Sequence, residues 1–139
     1  MAARSKARKR ALDILFEAEV RGEPVLELLA ERTLAADPPV SQYAAELVRG
    51  VHGHQEQIDR LLAAHAQGWA LSRMPAVDRN ILRIGAYELL LRQDVPDAVA
   101  ISEAVALAGD LSTDDSPAFV NGLLGRLLEL KPTLALEAP

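Results

Sequence analysis

Cysteine is absent from this 139-residue chain. No disulfide framework, iron–sulfur cluster, thiol nucleophile or cysteine-based zinc site is therefore open to it. Aromatic residues are scarce at 4%, with one tryptophan, two tyrosines and two phenylalanines, so each can be weighed singly. No apolar run approaches the roughly 20 residues that a membrane span requires. The basic start lacks the apolar stretch of a signal peptide, because Asp13, Glu17 and Glu19 interrupt it. Enzyme signatures are missing too: there is no G-x-S-x-G elbow, phosphate loop or G-x-G-x-x-G turn. What remains is ordinary for a globular protein, half hydrophobic and a quarter charged. The length fits one domain that buries about two-thirds of its unfolded surface. The chain reads as soluble, cytoplasmic and complete as it stands.

Charge is unevenly placed. Fifteen basic against 20 acidic residues give a net charge of −5, yet residues 1–10 hold Arg4, Lys6, Arg8, Lys9 and Arg10 and no acid. An acidic body with a short basic arm is expected where one end meets a polyanion. A solvated, frayed terminus is the other reading of the same run. The arm leads into Ala7, Ala11, Leu12, Leu15 and Phe16 at helical spacing, so it opens a helix. Cations in a first helical turn oppose the macrodipole and repel one another. A local rule broken with no compensation visible in the sequence points towards a functional site.

The rest of the chain reads as helix after helix, which predicts an all-α protein of two small helical bundles packed as one domain. The first half spans about residues 4–66. Its helices run from about Arg4 to Val20, from Val25 to Ala35, and from an N-cap at Ser41 through Tyr43, Leu47, Val48 and Val51. Gly50 and Gly53 predict a bend or break before Ile58, Leu61 and Leu62 resume the pattern. After a seam near residues 66–75, the second half spans about 75–131. Pro75 opens a helix through Ile81, Ile84, Tyr87 and Leu91, and Asp97 caps one that stops near Gly109. Ser116 as N-cap and Pro117 at the first position then start the last helix, which Lys131-Pro132 ends. The tail, residues 132–139, reads as frayed.

Residues able to carry chemistry are few. His52 and Glu56 lie four apart, but His54 points elsewhere and no third ligand stands near, which argues against a metal site. Asp114 and Asp115 fit helix-start electrostatics better than a catalytic carboxylate pair. Gly122 and Gly125 predict close approach of another helix. Trp69 fits a core or hinge residue, or a base-stacking platform. Phe16 and Phe119 are each open to a core role or to a base contact.

Three stretches go beyond pattern. They are Ser5-Lys-Ala-Arg-Lys-Arg-Ala-Leu with Leu15-Phe16, then Ile81-Leu-Arg-Ile-Gly-Ala-Tyr-Glu-Leu, then Phe119-Val-Asn-Gly. Asp94-Val-Pro, Ala100-Ile-Ser-Glu-Ala and Asp115-Ser fall between them in order. In this order the chain resembles the NusB transcription antitermination factors over about residues 4–130, weakly across 23–40 and not in the tail.

The resemblance implies an all-helical adaptor with no catalytic activity and no cofactor. It implies pairing with NusE, a small-subunit ribosomal protein, and binding of the boxA element of nascent RNA. The complex would keep RNA polymerase reading through termination, chiefly in ribosomal RNA operons. RNA contacts carry over to Arg4, Lys6 and Arg8 with Lys9 and Arg10 as neighbours, and to Phe16, Asp115 and Phe119. Asp78 matches a position that faces NusE. Some members pair with themselves, so a homodimer belongs among the expected partners.

Two positions depart from the pattern: Phe16 stands where some relatives place tyrosine, and Ala118 where a basic residue often precedes the Phe-Val-Asn-Gly motif. Five engaged arm charges would give a slope of about −3.5 for log K against log salt on single-stranded RNA. The competing reading, from the residues themselves, is a helical protein–protein adaptor with a solvated arm.

Overall fold

From Val77 to Leu91 apolar residues occupy nearly every face of a helical turn, the pattern of a helix with no solvent side. The computed structural model describes residues 2–134, and every regular element among them is helical. In chain order these are α1 (Ala2–Arg21), α2 (Val25–Ala35), α3 (Gln42–His65), a 3-10 turn at Leu71–Arg73, α4 (Ala76–Leu91), α5 (Asp97–Leu111) and α6 (Ser116–Leu130). A second 3-10 turn covers Lys131–Thr133. Residues 135–139, most of the segment expected to fray, lie outside the described residues.

Helix α4 is buried without interruption from Asn80 to Leu90, because α1, α3, α5 and α6 all pack against it. Helix α2 lies on α1 and α3. Buried residues of all six helices form one contiguous cluster, from Ile14 in α1 and Leu28 in α2 to Leu127 in α6. Truncating a fully buried Leu124 or Leu127 to Ala would cost about 2–5 kcal/mol. Close packing shows at Gly85, where an added Cβ would sit 2.7 Å from a Leu124 methyl and 3.2 Å from Ala104 Cβ.

Two expectations fail for long-range reasons. Helix α3 runs unbroken through Gly50 and Gly53. Gly50 is small because the Tyr87 ring of α4 lies where its Cβ would be, so it makes a helix crossing rather than a bend. Ser116 does not cap α6: the helix begins at Ser116, the preceding Asp115 makes no side-chain cap, and the Ser116 hydroxyl is turned inward to Asp78. Ser41 does cap α3, its Oγ accepting from the Ala44 N–H at 3.2 Å.

Candidate nucleic-acid interface

The basic arm is the first turns of α1, and its five cations have unlike fates. Arg8 points inward and is 2% exposed. Its Nε donates to both oxygens of Glu88, at 2.8 and 3.0 Å, and its Nη1 donates to Glu103 at 2.8 Å. The Tyr43 hydroxyl also donates to Glu88, and the Ser5 hydroxyl to Glu103. Arg4 donates to Asp94 at 2.9 Å while its guanidinium lies 4.1 Å from the centre of the Tyr43 ring. Arg92 pairs with Asp94 and Glu46 and approaches the same ring at 5.0 Å. The hydrogen bonds from Arg92 and then Arg4 hold the Asp94 carboxyl well below the ordinary carboxylate range. Arg4 and Arg8, uncompensated to the eye in sequence, are thus compensated by carboxylates 80 to 95 residues away.

Lys6 and Lys9 differ. Both are exposed, and neither forms an ion pair among the described residues. Arg10 is half-buried, donating from Nη2 to the Pro38 carbonyl at 3.3 Å. Phe16 is half-buried seven residues after Lys9, which places both on one flank of α1.

Arg8 meets Glu88 near the end of α4, whereas Glu19 meets Arg79 and Arg83 near its start, so α1 runs antiparallel to α4. Burial alone would raise the Glu19 carboxyl, but Arg79 and Arg83 outweigh it and hold Glu19 below its ordinary value. The other expected site residues gather at the start of α4. Asp78 is 5% exposed and accepts from the Ser112 hydroxyl and from Ser116 at 2.9 Å, tying α4 to the α5–α6 turn. The resemblance implies that it faces a protein partner; within this chain its carboxylate points inward and ties this turn.

Asp115, exposed just before α6, and Phe119, half-buried against the core in its first turn, follow. Trp69 reaches over from the loop after α3, its ring centre 6.3 Å from that of Phe119. The ten residues between Asp78 and Glu88 put the arm end and the Phe119 end about 15 Å apart along α4. The expected site residues therefore form two clusters.

No other helix of this chain packs closely on Gly122 or Gly125. No atom comes within 4 Å of a Cβ added at either, and both line an open groove of about 540 Å³ between the end of α3 and α6, bordered by His65, Asn121 and Arg126. Sequence reasoning missed Tyr43, Glu88, Arg92 and Glu103. One signal was present: Glu88 is a carboxylate inside an apolar run, and such a group is rarely buried without a partner. Among the described residues there is no cluster of His, Asp or Glu that could hold a metal, and no helix is long and apolar enough to cross a membrane.

The sequence profile of the NusB family matches residues 5–129. The transcription antitermination protein NusB of Nocardioides sp. is 59% identical over 135 residues, covering 97% of this chain and all of that one. That of Streptomyces coelicolor is 57% identical over 142 residues, covering 99% and 100%. The solved structure of T. maritima NusB superposes with a TM-score of 0.80 at 34% identity, over 91% of this chain and 90% of that one. A chain of a solved complex of antitermination factors NusB and NusE with double-stranded RNA superposes with a TM-score of 0.81 at 28% identity, over 93% of this chain and 98% of that one. This chain belongs to the NusB family.

Proposed function

We propose that this chain is a cytoplasmic, RNA-binding transcription antitermination factor, a non-enzymatic adaptor that pairs with NusE and holds boxA RNA so that RNA polymerase stays processive, chiefly in ribosomal RNA operons. The observation that carries the reading is the pair Lys6 and Lys9, both exposed on α1 and neither in an ion pair among the described residues, with Lys9 on the flank that also presents Phe16, in a chain whose residues 11–139 are strongly acidic. Cations of this kind attract phosphates without regard to sequence, while aromatic and polar groups read unstacked bases. Phe119 and Asp115 supply such groups at the far end of α4. Arg4 joins the surface set by exchanging Asp94 for a phosphate, and Arg10 borders it. Arg8 serves as the buried anchor of the arm, and Asp78 positions the turn that presents Asp115. The acidic body leaves a face suited to a basic ribosomal protein.

The test is a titration of fluorescent boxA RNA against a scrambled RNA, with and without NusE, at two salt concentrations. Preference for boxA that NusE strengthens and salt weakens is the expected result. Equal, feeble binding of both RNAs with NusE present would refute the reading in favour of an adaptor that works through protein contacts.

A further inference from the structure

Helix α2 turns Leu28 and Leu29 into the core and points Arg32 at Glu17 of α1. Its other side keeps two leucines in solvent, Leu26 at 43% and Leu34 at 89% exposure. The exposed Ala30 lies midway between them, and positions four apart share a helix face, so the three form one row. A leucine exposed singly needs no explanation. These two stand on one ridge about 12 Å apart, and the small side chain between them leaves a saddle. Such a saddle seats a large apolar side chain of a helix laid across the ridge. Glu27 and Glu31, also exposed, border the row on one side. Neither carboxylate forms an ion pair or a side-chain hydrogen bond among the described residues.

We propose that this outer face of α2 docks an amphipathic helix of a basic protein, whose apolar row sits at Ala30 between Leu26 and Leu34 and whose Lys or Arg side chains pair with Glu27 and Glu31. Charge selects this occupant. RNA and an anionic lipid surface are repelled by the two carboxylates. A second copy brings the same two carboxylates with its own row. Residues 135–139 of the chain hold Glu137 and no cation, so they leave the acidic border unneutralised. The 11 residues of α2 offer less area than a standard interface, so the docking is weak and reversible. Neither the basic arm nor Asp78 takes part, and the inference stands apart from the RNA-binding reading.

The probe is a fluorescent synthetic helix of Leu, Ala and Lys, with Leu at every third or fourth position and Lys along one border of that row. A counterpart carries Glu in place of each Lys. Both peptides are titrated by anisotropy with the full chain as wild type, as Leu34→Ala, and as Glu27→Lys with Glu31→Lys. Wild type should bind the Lys peptide saturably, one to one, and should not bind the Glu peptide. Leu34→Ala should bind the Lys peptide about 10-fold more weakly. Its Tm and its boxA affinity should match wild type, because Leu34 supports no core contact at its exposure. The charge-reversed variant should lose the Lys peptide and gain the Glu peptide.

Equal binding of the Lys peptide by all three proteins shows attraction to the acidic body at large, and overturns the proposal. A wild type that binds neither peptide overturns it too. So does a wild-type dimer in sedimentation that Leu34→Ala dissociates, since a second copy then covers the row.

Discussion

Replacing Glu88 by Gln leaves the Arg8 guanidinium inside the protein without its buried counter-charge, with only the more exposed Glu103 still paired to it. Arg8 and Glu88 are both almost completely buried, and removing one partner of such a pair typically destabilises by about 3–5 kcal/mol. For a chain of this length each kcal/mol corresponds to about 3–4 °C in Tm, so the expected fall is about 10–17 °C. Removing both charges should behave differently. In Arg8→Met, Glu88→Leu with Tyr43→Phe, the two buried charges and the half-buried hydroxyl go together, and the ring under Arg4 is kept. Such replacements are often neutral or stabilising, so this triple variant should melt within a few degrees of wild type.

The same triple variant also tests the division of the arm. With Arg8 not a surface contact, its boxA affinity should stay within about threefold and its salt slope should not change. Lys6→Ala with Lys9→Ala should instead leave Tm unchanged and make the slope shallower by about 1.4. Calorimetry and RNA titrations at several salt concentrations supply both readouts. Two results refute the reasoning: Glu88→Gln within about 1 kcal/mol of wild type, or a slope in the triple variant shallower by about 0.7, the share of one phosphate contact.

Gly50→Ala should destabilise by about 1–3 kcal/mol, because the buried Tyr87 ring occupies the space of the new methyl. Gly53→Ala, with nothing within 4 Å, should stabilise by up to about 1 kcal/mol in urea titrations. Glu19 has a depressed folded pKa, so its contribution is complete above its unfolded value of about 4.3 and fades as pH falls through the folded value. The stability gap between wild type and Glu19→Gln should therefore be widest at neutral pH and narrow below pH of about 4, and a constant gap would count against it. Ala118→Lys, on the exposed edge of the α6 groove, should tighten boxA binding and steepen the salt slope by about 0.7.

Apolar spacing made α2 legible to the residue and α1, α4, α5 and α6 legible to within a few residues, since each presents periodic faces between Gly or Pro signals. Pairing across the sequence was hidden. Gly50 looked like a breaker because its partner, Tyr87, is 37 residues away, and Ser116 looked like a cap because Asp78 competes for its hydroxyl from another helix. Arg8 was indistinguishable from Lys6 in the arm: both are cations in a helical first turn, and burial beside Glu88 separates them. Gly122 and Gly125 carried the opposite error, small residues that border open space where a neighbouring helix was expected. The aromatic residues are ambiguous in sequence; in the structure Trp69 is exposed, and Phe119 lies between core and surface.

The winding of α1 from Ala2 onward has a consequence for recognition. A loose ten-residue tail would lose about 1–2 kcal/mol of backbone freedom per residue when a ligand ordered it, and its charges would adapt to whatever spacing the ligand offered. Here that freedom is already gone once the domain has folded, with Arg8 clasped inside and Arg4 laid on Tyr43. The lysines stand at a fixed pitch, like teeth of a comb. Phosphates have to come to that pitch, so charges that read no base still discriminate among RNA backbones by shape.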